Sequence, residues 1–333
     1  MRIGSAVRCG VSTAAVYSVS SSTPGTTEVR MRGRVSGILL FWVSKGFGRI
    51  LAPGLHTEKG LLRAIAKDRA KGPARPPRRL RERIEFREEV RDGTRTFVVA
   101  PTGGATGATK LLYLHGGAFV LDLQRIQWSL IAALLRETGA EITIPIYPLA
   151  PESTSEETIS SVLSTYRAMV AERGSLDVVI TGDSAGGALA LLIAQALRDE
   201  GEDQPAALVL FSPVLDATAS GPDQPSLERR DPSLSIALVH NAIRLWAPSL
   251  SPADPSISAL FAEQRGLAPT LVFSGDREIL DSDARRLAAL NPEVDHRSYA
   301  EMPHVFQIGG GKEARHSLRE AAAFIRHHVR NRG

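Results

Sequence analysis

The stretch VVITGDSAGGALALL, residues 178–192, joins an apolar run to a longer run rich in alanine and leucine through Gly182-Asp183-Ser184-Ala185-Gly186. The first run is typical of a buried strand, and the second has the length of a helix. The small residues around Ser184 permit a sharp turn that would raise its hydroxyl above the edge of a sheet. Ser184 is therefore a candidate nucleophile. The alternative is that the glycines only allow close helix packing while Ser184 caps the helix.

Outward from this stretch, short apolar runs alternate with longer amphipathic ones. A hairpin is predicted around RDG, residues 91–93, because the flanking segments 83–90 and 94–101 alternate apolar and polar residues. The pattern then predicts strands at 110–114, 141–147, 177–181, 207–213, 270–275 and 296–300, and helices at 128–136, 156–173, 185–198, 284–290 and 313–330. This order predicts an α/β fold with a mainly parallel sheet covered on both faces, and a ligand site beyond the carboxyl ends of the strands.

Composition places the chain among ordinary globular proteins and makes several function classes unexpected. The chain has 333 residues, of which 43% are hydrophobic and 23% charged, and its formal net charge is +4. This excess is small for the length and the arginines are scattered, so no nucleic-acid partner is expected. A lone cysteine, Cys9, excludes an internal disulfide and a cysteine-based metal site. No metal or organic cofactor is implied.

The chain divides into an N-terminal part and a larger regular part. Residues 1–30 form a poor secretory signal, so a cytoplasmic location is the default expectation. They are expected to be a disordered extension, with an upstream misreading of a start nearer Met31 as the alternative. The apolar segment 37–55 is too interrupted to span a membrane and is expected to pack on the protein, with contact to a membrane surface as the alternative. A proline- and arginine-rich connector, residues 71–83, precedes the regular part. The turn-rich insertion at about 214–263 is typical of a lid or binding loop.

A serine nucleophile needs a histidine base and an acid that orients it, in the chain order Ser, Asp or Glu, then His. Asp276 follows the predicted strand 270–275 and His304 follows the last strand, so both lie at the same sheet edge as Ser184. Asp281 and Asp283 are weaker candidates because they begin a helix, where carboxylates are favoured for another reason. The histidines at 296, 316, 327 and 328 are expected at the surface, and His240 is expected to pack within the insertion.

The stretch YLHGGAFV, residues 113–120, ends a strand in a histidine and two adjacent glycines. Attack on a carbonyl creates an oxyanion, which backbone N–H groups must approach without a side chain in the way. Gly116 and Gly117 are predicted to supply such donors, together with Ala185, the residue after the nucleophile. His115 is expected to hold this loop in shape.

The segments HGGAF, YPLAPE (147–152), GDSAGG, DREILDSD and MPHVF together resemble the hormone-sensitive-lipase-like family of α/β-hydrolases (family IV, GDSAG motif) over about residues 80–330. The resemblance implies an α/β-hydrolase fold with an α-helical cap formed by the segment 31–80 and the insertion 214–263, on a catalytic domain of residues 81–333. It implies Ser184, Asp276 and His304 as the triad, with the oxyanion hole at Gly116, Gly117 and Ala185. Two departures are Ala118 at the common third glycine, and DREIL in place of the frequent D-P-L.

The implied activity is that of a carboxylesterase that acts on short- to medium-chain acyl esters through an acyl-enzyme intermediate. Lactone hydrolysis and amidase activity on the same triad stay open as alternatives, and a catalytically silent small-molecule receptor is disfavoured because His304 is present. Phe41, Trp42, Phe119 and Trp246 are candidates for the walls of the substrate pocket, with core packing as the alternative for each. A small-molecule ester or lactone is the expected partner. A homodimer is compatible with an edge strand and an apolar cap.

Overall fold

The computed structural model describes residues 17–23, 25–31, 53–105, 109–173 and 177–330. In these ranges one sheet runs in the order β1-β2-β10-β9-β8-β7-β5-β6-β4-β3. The strands from β7 to β10 are parallel to one another, as are β5 and its neighbours β6 and β7. Their bounds are β1 (Tyr17–Thr23), β2 (Thr26–Met31), β3 (Ile84–Arg91), β4 (Thr94–Pro101), β5 (Lys110–Leu114), β6 (Glu141–Pro145), β7 (Val178–Asp183), β8 (Ala207–Phe211), β9 (Thr270–Gly275) and β10 (Asp295–Tyr299).

Helices cover both faces of this sheet. Their bounds are α1 (Glu58–Arg69), α2 (Arg78–Arg81), α3 (Trp128–Thr138), α4 (Ser155–Arg173), α5 (Ala185–Asp199), α6 (Gln224–Glu228), α7 (Ile236–Trp246), α8 (Asp281–Leu290) and α9 (Gly311–Arg330). The predicted hairpin is β3 and β4, and every strand and helix predicted from residue 110 onward is present with small shifts at its ends. The α/β fold with helices on both sheet faces is therefore confirmed.

The core lies in two layers because successive strand residues point to opposite faces. Leu112 and Leu114 of β5 pack in one layer with α4, α5 and α8, whereas Leu111 and Tyr113 pack in the other with α3 and α9. Continuous burial along β5, β7, β8 and β9 follows from this cover on both sides. The carboxyl-terminal edge of this sheet carries the loops in which the site residues lie.

The expected disordered extension over residues 1–30 is wrong for residues 17–23 and 25–30. These residues form an antiparallel hairpin, and β2 continues the sheet by pairing in parallel with β10, with Thr26 opposite His296 and Val29 opposite Tyr299. Val29 is 2% exposed within the core layer of α3 and α9. Val29 is buried on one face of the sheet and Thr26 on the other, and this burial on both faces gives the polar segment a reason to fold. Residues 1–16 lie outside the described residues.

The insertion after β8 contains α6, α7 and a 3-10 turn at Ala259–Phe261. It contacts the N-terminal segment directly: the His56 imidazole Nδ1 lies 2.5 Å from Ser235 Oγ, and Asn241 donates a hydrogen bond to the His56 carbonyl. Leu61 and Ile65 of α1 are buried against the same core layer. These contacts agree with a cap built from both segments.

Across the ranges listed above, no helix combines the length and the apolar character needed to cross a membrane. The apolar segment predicted at 37–55 lies mostly outside the described residues, and so do Phe41 and Trp42.

Candidate active site

Ser184 stands on the sharp turn between β7 and α5. Its backbone has φ 54° and ψ −119°, which is an unfavourable conformation for a residue with a side chain. The turn is tight because Gly186 lies against β5, where an added Cβ would come 1.9 Å from the Leu114 carbonyl oxygen. The Ser184 side chain makes no capping hydrogen bond to α5. The helix-cap alternative for Ser184 is therefore not what the fold uses.

His304 lies beside this serine in the loop after β10. Its Nε2 is 3.0 Å from Ser184 Oγ, a hydrogen-bond distance at which the hydroxyl can donate to the ring. On the other side of the ring, Nδ1 lies 2.5 Å from Glu278 Oε2 and can donate to that carboxylate. A serine, a histidine and a carboxylate are thus aligned in the order that nucleophilic catalysis requires.

The predicted acid, Asp276, does not contact His304, and this prediction is wrong in the structure. Asp276 Oδ1 instead accepts a hydrogen bond from the Glu301 amide at 2.7 Å, and its side chain is one-third exposed. The loop after β9 turns so that Glu278, two residues further on and fully buried, faces the imidazole. The longer glutamate side chain reaches from that position. Glu278-Ile279-Leu280 has the acid-X-Leu pattern of the frequent D-P-L wording, which is the sequence signal that could have identified it.

Glu278 is held by donors other than His304. Its Oε1 accepts hydrogen bonds from Ser212 Oγ at 2.7 Å and from the Gly275 amide at 2.8 Å. Ser212 Oγ in turn accepts a hydrogen bond from the Val305 amide, next to the histidine. The Glu278 carboxylate and the backbone next to His304 therefore bind the same Ser212 hydroxyl, which fixes the acid relative to the histidine loop.

The surroundings of His304 favour its protonated form. Burial by itself lowers the pKa of this imidazole, but the charge and the hydrogen bond of Glu278, with Asp231 and Asp183 further away, outweigh burial and raise the pKa above 6.5. An imidazolium formed by proton transfer from Ser184 would thus be stabilised in place. A histidine with these neighbours is suited to act as a general base.

The loop that carries Gly116 and Gly117 passes directly over the serine turn. Asp183, the residue before Ser184, accepts hydrogen bonds from the Gly116 amide at 3.0 Å and from the Gln127 side chain at 2.9 Å. The Tyr113 hydroxyl donates to the same carboxylate. The predicted role of Gly116 as an oxyanion donor is therefore wrong in this geometry, because its N–H is already directed to Asp183.

The main-chain amides of Gly117, Ala118 and Ala185 remain as the candidate donors. None of the described residues accepts a hydrogen bond from these three N–H groups. Gly117 has φ 137°, and Ala118 and Phe119 follow with φ 54° and 62°. Successive residues in unfavourable conformations are found where a loop is held for function. Ala118, at the position where a third glycine is common, therefore replaces Gly116 in the set of donors.

His115 helps to hold this loop, as predicted from the sequence. Its ring is fully buried and stacks on the Tyr147 ring with centroids 4.3 Å apart, and its Nδ1 lies 2.9 Å from the Gly116 carbonyl oxygen. The Tyr147 hydroxyl donates to the His115 carbonyl. The YPLAPE segment thereby supports the HGG loop through Tyr147.

A small apolar cavity of about 40 Å³ opens beside Ser184. Phe119 forms part of its wall, whereas Trp246 is fully buried behind Phe119, with the two rings stacked at a centroid distance of 3.8 Å. The indole of Trp246 donates to Thr158 Oγ1. Trp246 is thus a support for the wall and not part of it. The described lining residues are Ala118, Phe119, Ser184, Val214, Leu234, Leu238, Val239, Ala242, Ile243 and Leu280.

His296 was expected at the surface but is fully buried. It lies at the junction of β10 with the N-terminal hairpin, with Nδ1 3.1 Å from Thr26 Oγ1 and Nε2 2.7 Å from Ser274 Oγ. Burial lowers its pKa to about 4. The polar strand DHRSY concealed this because its pattern resembles that of an exposed edge, and the strand that covers it comes from the other end of the chain.

A family model described as the α/β hydrolase fold matches residues 111–308 of the chain. An esterase of Acinetobacter venetianus is 33% identical over 226 residues, which cover 65% of this chain and 75% of the relative. An acetyl-hydrolase of Streptomyces hygroscopicus is 34% identical over 224 residues, with the same shares of the two chains. Among solved structures, an esterase from the bacterial hormone-sensitive lipase family superposes with a TM-score of 0.71 at 28% identity and covers 83% of this chain and 98% of its own.

Proposed function

Since this chain belongs to the α/β-hydrolase family and is a serine ester hydrolase of the hormone-sensitive-lipase-like group, we propose that Ser184, His304 and Glu278 are its catalytic triad. The observation that carries this proposal is the continuous line of hydrogen bonds from Ser184 Oγ through both ring nitrogens of His304 to Glu278 Oε2. The substrate is a small-molecule carboxylic ester.

Acylation begins when His304 Nε2 takes the hydroxyl proton of Ser184 as the serine oxygen attacks the ester carbonyl. The carbonyl oxygen becomes an oxyanion, which accepts hydrogen bonds from the amides of Gly117, Ala118 and Ala185. The Glu278 carboxylate stabilises the imidazolium. His304 then donates its proton to the departing alcohol oxygen, the C–O bond of the ester breaks, and the acyl group remains on Ser184.

Deacylation repeats these steps with water as the nucleophile. His304 removes a proton from the water as the hydroxide attacks the acyl carbonyl, and the oxyanion again lies at the three amides. Collapse of this second intermediate returns the proton to Ser184 Oγ and releases the carboxylic acid.

The cavity favours a short acyl chain. A volume of about 40 Å³ between Phe119 and the cap residues Leu234 and Leu238 accommodates only a few carbon atoms unless the cap moves. Two features hold the wall: Phe119 is 2% exposed, and Trp246 supports its ring from behind. An acetyl group is the best match for this space, and one relative is named an acetyl-hydrolase. We therefore place the preferred substrates at the short end of the predicted short- to medium-chain range.

The test is hydrolysis of p-nitrophenyl esters from acetate to dodecanoate by the wild type, Ser184→Ala and Phe119→Ala. We expect Ser184→Ala to be inactive on every ester, and Phe119→Ala to move the optimum toward longer chains because the shortened wall enlarges the cavity. Phe261→Ala is the matched control, since Phe261 is 41% exposed on the insertion and is not in the wall. An unchanged chain-length profile in Phe119→Ala would contradict the assigned acyl cavity, and an active Ser184→Ala would contradict the triad.

A further inference from the structure

Asp231 is a second buried carboxylate near the triad, and the proposed mechanism does not use it. It belongs to the insertion, between α6 and α7, and is 4% exposed. Such a carboxylate is retained in a core only where donors or positive charge compensate for its burial. Its partners therefore indicate what it does.

The two oxygens of Asp231 bind two different parts of the molecule. Oδ1 accepts hydrogen bonds from the amides of Ser233 at 2.7 Å and Leu234 at 2.9 Å, within the insertion. Oδ2 accepts a hydrogen bond from the amide of Ile279 at 2.9 Å, in the loop after β9. Ile279 directly follows Glu278, and Leu234 is part of the wall of the acyl cavity. One carboxylate thus joins the cavity wall to the loop that carries the triad acid.

The motif difference noted in the sequence makes this link possible. In the frequent D-P-L wording, the residue after the acid is a proline, which has no N–H to donate. Here that position is Ile279, whose amide is free to bind Asp231.

Asp231 also acts electrostatically on His304. Burial raises the pKa of Asp231 to about 6, and the hydrogen bonds from Leu234, Ser233 and Ile279 and the charge of His304 oppose that rise. The carboxyl groups that act on His304 are Glu278, Asp231 and Asp183, which come from the loop after β9, the insertion and the end of β7. At pH 8 Asp231 is ionised, so its charge favours the imidazolium formed during catalysis.

We propose that Asp231 is a positioning residue that fixes the Glu278 loop to the acyl-cavity wall and supports the charge on His304. This proposal rests on the proposed triad. It implies that movement of the cap and the geometry of the triad are coupled through a single side chain.

The test is the pH dependence of kcat and KM for p-nitrophenyl butyrate with Asp231→Asn. We expect kcat to fall roughly tenfold, because the acid loop loses one of its fixed contacts. We also expect the acid limb of kcat/KM to move to lower pH by roughly half to one pH unit, because the base loses a nearby negative charge. Asp254→Asn is the matched control: Asp254 also accepts a backbone hydrogen bond within the insertion, from Ser256, and its pKa is not linked to His304.

A purely structural Asp231 would lower the melting temperature without moving the acid limb, and that result would overturn the proposal. Asp231→Ser, whose hydroxyl keeps an acceptor without the charge, serves where the asparagine variant does not fold, and failure of both variants to fold would also assign Asp231 to structure alone. Failure of the proposed function is a separate outcome. Ser184→Ala would then retain activity, whereas failure of this inference leaves Ser184→Ala inactive and the acid limb of Asp231→Asn unmoved.

Discussion

The described part of the chain contains two clusters of serine, histidine and carboxylate, and only one has the geometry of a catalytic site. In the first, His304 lies between Ser184 and Glu278. In the second, Ser274 lies between its partners: Ser274 Oγ donates to Asp281 Oδ1 at 2.6 Å and is 2.7 Å from His296 Nε2. A hydroxyl that donates to a carboxylate cannot also give its proton to the ring, so His296 cannot act as a base toward Ser274.

The surroundings of the two clusters also favour catalysis at Ser184 and not at Ser274. Ser184 opens onto a cavity beside three amides without acceptors among the described residues, whereas Ser274 is fully buried on β9, one strand away from the N-terminal hairpin. The pKa of His304 is raised by its carboxylate, whereas burial lowers the pKa of His296 to about 4. Residue identity alone therefore does not make a triad. The order of the hydrogen bonds and access to the serine separate the catalytic cluster from the structural one.

The largest expected effect separates the two serines. Ser184→Ala should lower kcat by about 10⁶-fold, since loss of a triad serine removes the covalent route. Ser274→Ala should retain most of the activity because Ser274 contacts neither substrate nor base. Steady-state kinetics on p-nitrophenyl butyrate measure both. Comparable losses in the two variants would show that the clusters have been distinguished wrongly.

The next effect separates the two acids of the loop after β9. Glu278→Gln should lower kcat by about 10³ to 10⁴-fold, because the amide neither orients His304 nor stabilises its charge as the carboxylate does. Asp276→Asn should stay close to the wild type, since the Asp276 side chain accepts from the Glu301 amide, lies 3.9 Å from Arg230 and does not contact His304 in the described part of the chain. Circular dichroism confirms that both variants are folded. The reverse ranking would restore Asp276 as the triad acid.

A smaller effect concerns pH. His304 should determine the pH dependence of kcat/KM, whereas His296 should contribute to the pH dependence of the free energy of unfolding. Protonated His304 cannot accept the serine proton, so kcat/KM should fall as the pH decreases through a midpoint above 6.5. His296 is neutral in the fold with a pKa near 4, and an ordinary histidine in the unfolded chain has a pKa near 6.5. Its contribution to the free energy of unfolding should therefore be present above pH 6.5 and be lost as the pH falls toward 4.

The His296 part of this prediction is measured as the difference in free energy of unfolding between the wild type and His296→Gln. That difference should shrink as the pH is lowered from 6.5 to 4, whereas kcat/KM of the variant keeps the wild-type midpoint. A variant whose activity midpoint moves would place His296 in the catalytic cluster.

The smallest effect is on stability at the structural cluster. Ser274→Ala should lower the free energy of unfolding by about 1 to 3 kcal/mol, because the buried Asp281 and His296 each lose a hydrogen-bond partner. Urea titration and thermal unfolding of the two proteins measure this loss of unfolding free energy. Wild-type stability in this variant would show that the hydrogen bonds of Ser274 to Asp281 and His296 do not stabilise the fold.

The sequence predicted most of the sheet because its central strands are short apolar runs between amphipathic helices. Ser184 and His304 stood out as candidates because each follows a predicted strand, the apolar β7 before Ser184 and the polar β10 before His304. The sequence did not predict the N-terminal hairpin. Thr26 and Val29 pair with His296 and Tyr299, some 270 positions away, and no local pattern records such a partner.

The triad acid Glu278 was missed for a related reason. Asp276 and Glu278 lie two residues apart, and the loop decides which of them faces His304. Ser212 Oγ and the Gly275 amide hold Glu278 in place by donating hydrogen bonds to its carboxylate. Gly116 was misassigned because its N–H donates to the buried Asp183 carboxylate. That contact joins distant parts of the chain and leaves no local pattern in the sequence.

The most direct test of the two-cluster account is active-site labelling with a fluorophosphonate, followed by peptide mass spectrometry of the wild type, Ser184→Ala and Ser274→Ala. The reagent phosphonylates a serine only where a base activates it and an oxyanion hole receives the phosphonyl oxygen. We expect one phosphonyl group on Ser184 in the wild type and in Ser274→Ala, and none in Ser184→Ala. A label on Ser274, or a label that persists in Ser184→Ala, would contradict the two-cluster account.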